Sequence, residues 1–349
     1  MDKTKKYLVL MPLMILLIMA CTCGAPGLKD FLRQNDQNEA PVLAPSATPL
    51  PKDPQLSQPS SSTEAPPLVS DNAALEFLSS TRFEANDWEY VVGEIKNNSG
   101  KTLDYVDISM ILYDANNQVL ATENVSPLLS PLYTDSTTPF IVSSNSWGEF
   151  DHYEFVVNDW YEAEDVPPLD LAIVYHTSFS DDYMLTIVGE IANNSDQTAE
   201  WVYVAGGLYD ASGQIMNATT AYTMLDTIAP GEKAPFKMYF SDNWKDSTDY
   251  YLQVTGRAGD APVPEVRLVD YKASKEGNTC TFAGTVENLT AGEIGFVSVI
   301  VSLYDASDQL VDASWTFSDG SAIPAKGKDT FTLSVYDCKP YKYEVIRVE

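Results

Sequence analysis

From about residue 71 onward, apolar and polar positions alternate in short stretches, and the chain almost nowhere repeats at helical spacing. Through WEYVVGEI every second residue is apolar or small (Val91, Gly93, Ile95), and Ile187, Gly189, Ile191 and Phe282, Gly284, Val286 follow the same rule. Period two marks a strand with one buried face. A glycine inside such a strand marks a bulge or a close backbone approach. Each of these stretches follows another apolar stretch (LEFL, LAIVYH, VRLVDY). Each is closed by Asn97-Asn98-Ser99, Asn193-Asn194-Ser195 or Asn288-Leu289-Thr290, residue types that turn the chain by bonding nearby backbone. A third strand then ends in Leu-Tyr-Asp, with hairpin tips reading ANNQ, ASGQ and ASDQ before VLATE, IMNAT and LVDAS. Pro131, Pro230 and Pro324 precede strands that open at Phe140, Phe236 and Phe331, and YEFVV, YYLQV and YKYEVIRV come last.

The pattern therefore occurs three times. Gly93, Gly189 and Gly284 each stand 19 positions before the leucine of the Leu-Tyr-Asp motif (Leu112, Leu208, Leu303), and the glycines are 96 and 95 residues apart. A period of that length with six or seven short strands predicts an all-β chain. The expected architecture is three tandem immunoglobulin-like antiparallel β-sandwiches, at 71–165, 166–262 and 263–349, with a jelly roll or small barrel as the alternative. The joins, EAEDVPPLD and GDAPVPE, are short, acidic and proline-bearing, and predict a semi-rigid string of domains.

The first 70 residues read differently. Lys3, Lys5 and Lys6 lead into an apolar run from Tyr7 to Met19, too short for a comfortable membrane span. Leu17-Ile18-Met19-Ala20-Cys21 resembles a bacterial lipobox. That resemblance implies a signal peptide over 1–20, cleavage before Cys21, lipidation of its sulfur, and a place on the extracytoplasmic side of the cell membrane or envelope; Cys23 is the second candidate. Residues 21–70 are rich in proline, serine and alanine with no hydrophobic period, and predict a disordered stalk. The formal net charge of −29 argues against nucleic acid as a partner. Outside the anchor region the cysteines are Cys280 and Cys338, both in the third repeat, and an exported chain is expected to pair them.

The combination of G-[ET]-[IV]-x-N-x-[ST] with a strand ending in Leu-Tyr-Asp resembles the FxLYD domain family, over about 70–349 in three copies. Members are sandwich modules found in tandem in envelope proteins. The family's leading aromatic is replaced here by Met110, Gly206 and Val301. The family brings no activity, so its matching positions are read as structural: Gly93, Asn97, Leu112, Tyr113 and Asp114; Gly189, Asn193, Leu208, Tyr209 and Asp210; Gly284, Asn288, Leu303, Tyr304 and Asp305.

Little chemistry stands out beside this. The aspartates after the tyrosines read as turn caps, because the oxygen-rich spacing of a calcium loop is missing. The tyrosines read as packed aromatics whose hydroxyls find a backbone partner. Trp147 and Trp244 read as core plugs, with Cys338 near the matching place in the third repeat. His152 and His176 fall in different repeats with no nucleophile elbow beside them. The expectation is a non-enzymatic, cofactor-free, lipid-anchored protein that displays its modules to an envelope protein or glycan or plays a structural role. One alternative is a calcium-dependent adhesion module, with cations at the joins near Glu162, Glu164, Asp165, Asp260 and Glu265. The other is a hydrolase with unrecognised carboxylates.

Overall fold

The computed structural model describes residues 74–163, 169–260 and 265–349. The expected signal peptide over 1–20, Cys21, Cys23, the stretch 21–70 read as a stalk, Glu164 and Asp165 lie outside the described residues. Among the described residues there is no helix.

The first repeat comprises β1 (Leu75–Ala85), β2 (Trp88–Asn97), β3 (Leu103–Tyr113), β4 (Val119–Val125), β5 (Thr137–Ser144) and β6 (His152–Glu162). The second comprises β7 (Leu171–Ser180), β8 (Leu185–Asn193), β9 (Thr198–Tyr209), β10 (Ile215–Tyr222), β11 (Thr227–Ile228), β12 (Lys233–Phe240) and β13 (Asp249–Gly259). The third comprises β14 (Val266–Glu276), β15 (Thr279–Asn288), β16 (Ser298–Tyr304), β17 (Leu310–Phe317), β18 (Lys328–Val335) and β19 (Tyr343–Val348). Each repeat is a sandwich of two antiparallel sheets. One holds its first, second and penultimate strands (β1-β2-β5, β12-β8-β7, β14-β15-β18). The other is built on the third strand (β4-β3-β6, β10-β9-β13 with β11, β17-β16-β19). This is the immunoglobulin-like arrangement that the strand pattern predicts.

Each sandwich buries its own core between the sheets. In the first, Phe77 stacks on Phe155 and meets Phe140 edge-on, with Val91, Ile95, Ile108 and Leu112 around them. The strand glycines explain how that ring fits. Gly93 lies opposite Phe140, Gly189 opposite Phe236 and Gly284 opposite Phe331. A Cβ on Gly93 would fall 2.4 Å from the Phe140 ring, and one on Gly189 2.6 Å from that of Phe236. The neighbouring strand bulges at the same level, between Phe77 and Ser80, Ile173 and Tyr175, and Leu268 and Asp270. The bulge turns a backbone carbonyl onto the glycine: a Cβ on Gly284 would lie 2.2 Å from Asp270 O. So the bulge and the aromatic together demand glycine.

The hairpin tips also follow from their residue types. Asn117, Gly213 and Asp308 occupy matching places with φ of 59°, 83° and 59°. Glycine, asparagine and aspartate tolerate this left-handed region best.

Candidate functional site

The motif residues divide into two groups: those that fix each repeat and those that join repeats. Asn97, Asn193 and Asn288 belong to the first and are fully buried. The Asn97 amide donates to the carbonyls of Lys101 (2.7 Å), Leu132 (3.0 Å) and Tyr133 (3.1 Å), and its Oδ1 accepts from Ser99 N and Oγ. Asn288 repeats this network with Thr290 in the place of Ser99, and Asn193 repeats it with Ser195 and with two carbonyls, those of Gln197 and Ile228. One side chain thus ties the end of the second strand to two loops. Asp114, Asp210 and Asp305 close the hairpins: each Oδ1 accepts the backbone N–H groups two and four residues on. The bonds from Gln118 and Asn116 hold Asp114 below the ordinary aspartate range, and at Asp210 burial is outweighed by bonds from the Ser212 hydroxyl and the Gln214 and Ser212 N–H groups, so it too is lowered.

The tyrosines depart from expectation. Their hydroxyls meet carboxylates, and two of the three reach into the preceding repeat. Tyr209 Oη donates to Glu94 Oε1 at 2.6 Å, and Tyr304 Oη donates to Glu190 Oε1 at 2.6 Å. Tyr113 has no repeat before it among the described residues. It donates instead to Glu154 of its own repeat at 3.1 Å and stacks on His152. The reason lies in the alternation of β2 and β8. Val91, Gly93 and Ile95 face the core, which leaves Val92 and Glu94 on the outer face, and there the next repeat docks. Val92 packs with Ile215, Ala218, Phe83 and Ile141, while Val188 packs with Leu310, Ala313, Tyr175 and Phe179. Ile215 and Leu310 are 0% exposed, whereas Val119, at the same position in the first repeat, is 59% exposed. Gln214 adds bonds to Ser80 O and Thr81 Oγ1, both 3.0 Å. Burial raises the Glu94 carboxyl above its ordinary range, partly offset by the bonds from Tyr209 and Ser79. Burial and the neighbouring Glu94 push the Tyr209 hydroxyl well above the phenol range.

The two joints differ in one corner. In the first, the Tyr203 hydroxyl accepts from Ser130 N (2.7 Å) and donates to Ser130 O (3.0 Å), bridging the two repeats. Ser298 stands at that position in the third repeat, five residues before Leu303 as Tyr203 is before Leu208. Ser298 lines a cleft of about 490 Å³ between the second and third repeats, together with Tyr222, Tyr239, Trp315 and Phe317 and with Lys237, Asp226 and Ser314. All four rings are exposed. Lys237 Nζ is held by Asp312 at 2.7 Å, with both side chains largely buried. Asp226, which occupies the place of Ser130, has its N–H taken by Glu349 Oε2 at 2.8 Å.

A further feature recurs in all three repeats. Seven residues before the motif leucine stand Tyr105, Trp201 and Phe296, and they are 52%, 66% and 61% exposed. Trp201 has a φ of 53°, in a bulge where β9 slips against β13. Phe296 packs on Phe317, and Phe317 on Trp315, so the third repeat's ring continues into the cleft. The position is legible once the repeats are aligned on their Leu-Tyr-Asp motifs, because each carries an aromatic residue there.

The remaining candidates are accounted for locally. Trp147 is buried, packs on Phe150 and donates to Glu123, while Trp244 is partly buried against the second core. Cys280 and Cys338 form a disulfide in the third core. His152 contacts Asp151, and His176 contacts Tyr250 at 2.9 Å, in separate repeats. At the joins, Glu162 pairs with Lys101 at 2.5 Å, and no group of three potential metal ligands comes together among the described residues.

No family model matches the chain, and no curated protein does. Solved structures similar to it include red sea bream transglutaminase, at 12% identity over 53% of this chain and 29% of that one, with a TM-score of 0.19. A glycoside hydrolase family 2 β-glucuronidase matches at 11% identity over 68% of this chain and 27% of that one, with a TM-score of 0.18. Dimeric latent PorU from Porphyromonas gingivalis matches at 9% identity over 75% and 30%, with a TM-score of 0.16. The chain spans less than a third of each, and likenesses at these scores carry no argument about what it does.

Proposed function

We propose that this chain is a non-enzymatic, lipid-anchored protein of the cell envelope, built of three FxLYD-like sandwiches, whose task is to present binding surfaces in a fixed order beyond the membrane. The observation that carries this reading is the twice-built joint. The same tyrosine-to-glutamate bond over the same apolar contact couples each repeat to the next. Residues with chemical potential are consumed by architecture: the motif aspartates cap hairpins, Glu94 and Glu190 serve the joints, and the two histidines sit apart. The lipobox-like run ending at Cys21 supplies the anchor in this reading. More than one acyl chain is needed for stable membrane binding, at about 0.8 kcal/mol per buried methylene. The test is metabolic labelling with a fatty acid in a bacterial host, read with membrane fractionation. The wild-type chain should carry label and sediment with membranes, and Cys21→Ala should lose both. A Cys21→Ala chain that keeps the label would move the lipid to another residue, Cys23 first, and a wild-type chain without label would sink the anchor.

A further inference from the structure

We propose that the cleft between the second and third repeats is a saccharide-binding site, which takes a run of uncharged pyranose rings from an envelope polysaccharide. This deepens the display reading and rests on it for the ligand's setting. The two joints differ here: Tyr203 bonds Ser130 across the first, whereas Ser298 stands at the matching position in the second and lines a cleft. What the opening exposes is aromatic: Tyr222, Tyr239, Trp315 and Phe317 turn ring surface to solvent in one place. Apolar surface gathered beside polar groups is the signature of a binding surface. An aromatic face covers the C–H face of a sugar ring and leaves the hydroxyls at the rim for polar neighbours. Those neighbours are present. Lys237 has three donors and spends one on Asp312; Asp226 offers an acceptor carboxylate, and Ser298 and Ser314 offer hydroxyls.

Charge narrows the class. The cation of the cleft is neutralised by Asp312, and the chain carries −29 overall, so a polyanion would be repelled. A wholly apolar ligand would desolvate Lys237 and Asp226 without replacing their water. An uncharged polyol satisfies both conditions. Phe296 extends the ring surface through Phe317, and Tyr105 and Trp201 repeat its position on the other two sandwiches. A polymer touching more than one of them gains avidity without a stronger single site.

The experiment is calorimetric titration of the full chain with hexasaccharides of glucose, mannose and N-acetylglucosamine, with a sulfated polysaccharide as the anionic arm. At least one uncharged hexasaccharide should bind. Trp315→Ala should weaken it at least tenfold with an unchanged melt, since exposed aromatics dominate such contacts. Ser298→Tyr, which puts into the cleft a side chain of the size that Tyr203 has at the first joint, should block binding with an unchanged melt. No heat with any uncharged hexasaccharide at millimolar concentration overturns the proposal, as does binding indifferent to both substitutions, or binding of the sulfated polymer alone. Fatty-acid labelling of the same chain separates the two readings: label without sugar binding removes the cleft and leaves the anchor.

Discussion

Three asparagines, each buried and each satisfying carbonyls from two loops, are the residues on which the repeats close. Asn193→Ala would leave the carbonyls of Gln197 and Ile228 without their donor and strip Ser195 of its acceptor. Buried groups left unpaired cost about 1–3 kcal/mol each. We expect a loss of roughly 2–4 kcal/mol, seen as a lower melting midpoint for the second repeat. A loss under about 0.5 kcal/mol, the size of a neutral surface substitution, would contradict this role. Gly189→Ala should cost about 1–3 kcal/mol by overpacking, because its methyl would meet both the Phe236 ring and Tyr175 O at 2.6 Å. At this scale much was legible. A glycine at a period-two position announces a close approach, and Asn followed by Ser announces a turn. What composition could not convey was burial: an asparagine on a tight turn and one walled in by carbonyls have the same letters around them. The partner of the Tyr209 hydroxyl is hidden for a related reason, since it stands 115 residues away in sequence.

Strands β2 and β8 are used on both faces, and this is where element-scale reading fell short. The alternation Val91, Gly93, Ile95 is clear because the core selects it, but Val92 and Glu94 look like an ordinary outer face. Only the structure shows the next repeat seated there. β15 carries Ala283 and Thr285 at the same positions, and among the described residues nothing docks on them. Tyr209→Phe removes a hydrogen bond to a buried carboxylate and should loosen the first joint by about 1.5–3 kcal/mol. Glu94→Gln should be close to neutral at pH 7 or stabilising. Gln still accepts from Tyr209, and the burial that raises the Glu94 carboxyl no longer opposes a charge. The sign follows from that raised value: the Glu94 contribution is full below the ordinary glutamate range and is lost as pH rises through its folded value. Melts at pH 5 and pH 8 should therefore differ less in Glu94→Gln than in the wild type. An unchanged difference would show that Glu94 is not the group that titrates.

Across the whole molecule, the third repeat differs in how it is closed. Its disulfide spans a sequence separation of 58, for which loop entropy gives about 4 kcal/mol. Pairing Cys280→Ser with Cys338→Ser should lower the melt of the third repeat and leave the first two, which close with Trp147 and Trp244, where they are. The third repeat also meets the second through Glu349. Burial, with the nearby Asp226 and Glu232 carboxylates, lifts the Glu349 carboxyl from 4.5 to about 7, against the N–H bonds from Asp226 and Thr227. Because the folded value lies above the unfolded one, protonation favours the closed joint. The contribution is full below pH 4.5 and is lost as pH rises through about 7. The hairpin aspartates shift the other way and matter only under stronger acid, where Asp114 and Asp210 begin to protonate. Between pH 4.5 and pH 8, then, the melt of the third repeat should fall. Glu349→Gln should flatten that fall by keeping an uncharged acceptor for the Asp226 N–H. A slope that survives in Glu349→Gln would show that Glu349 is not the group that titrates.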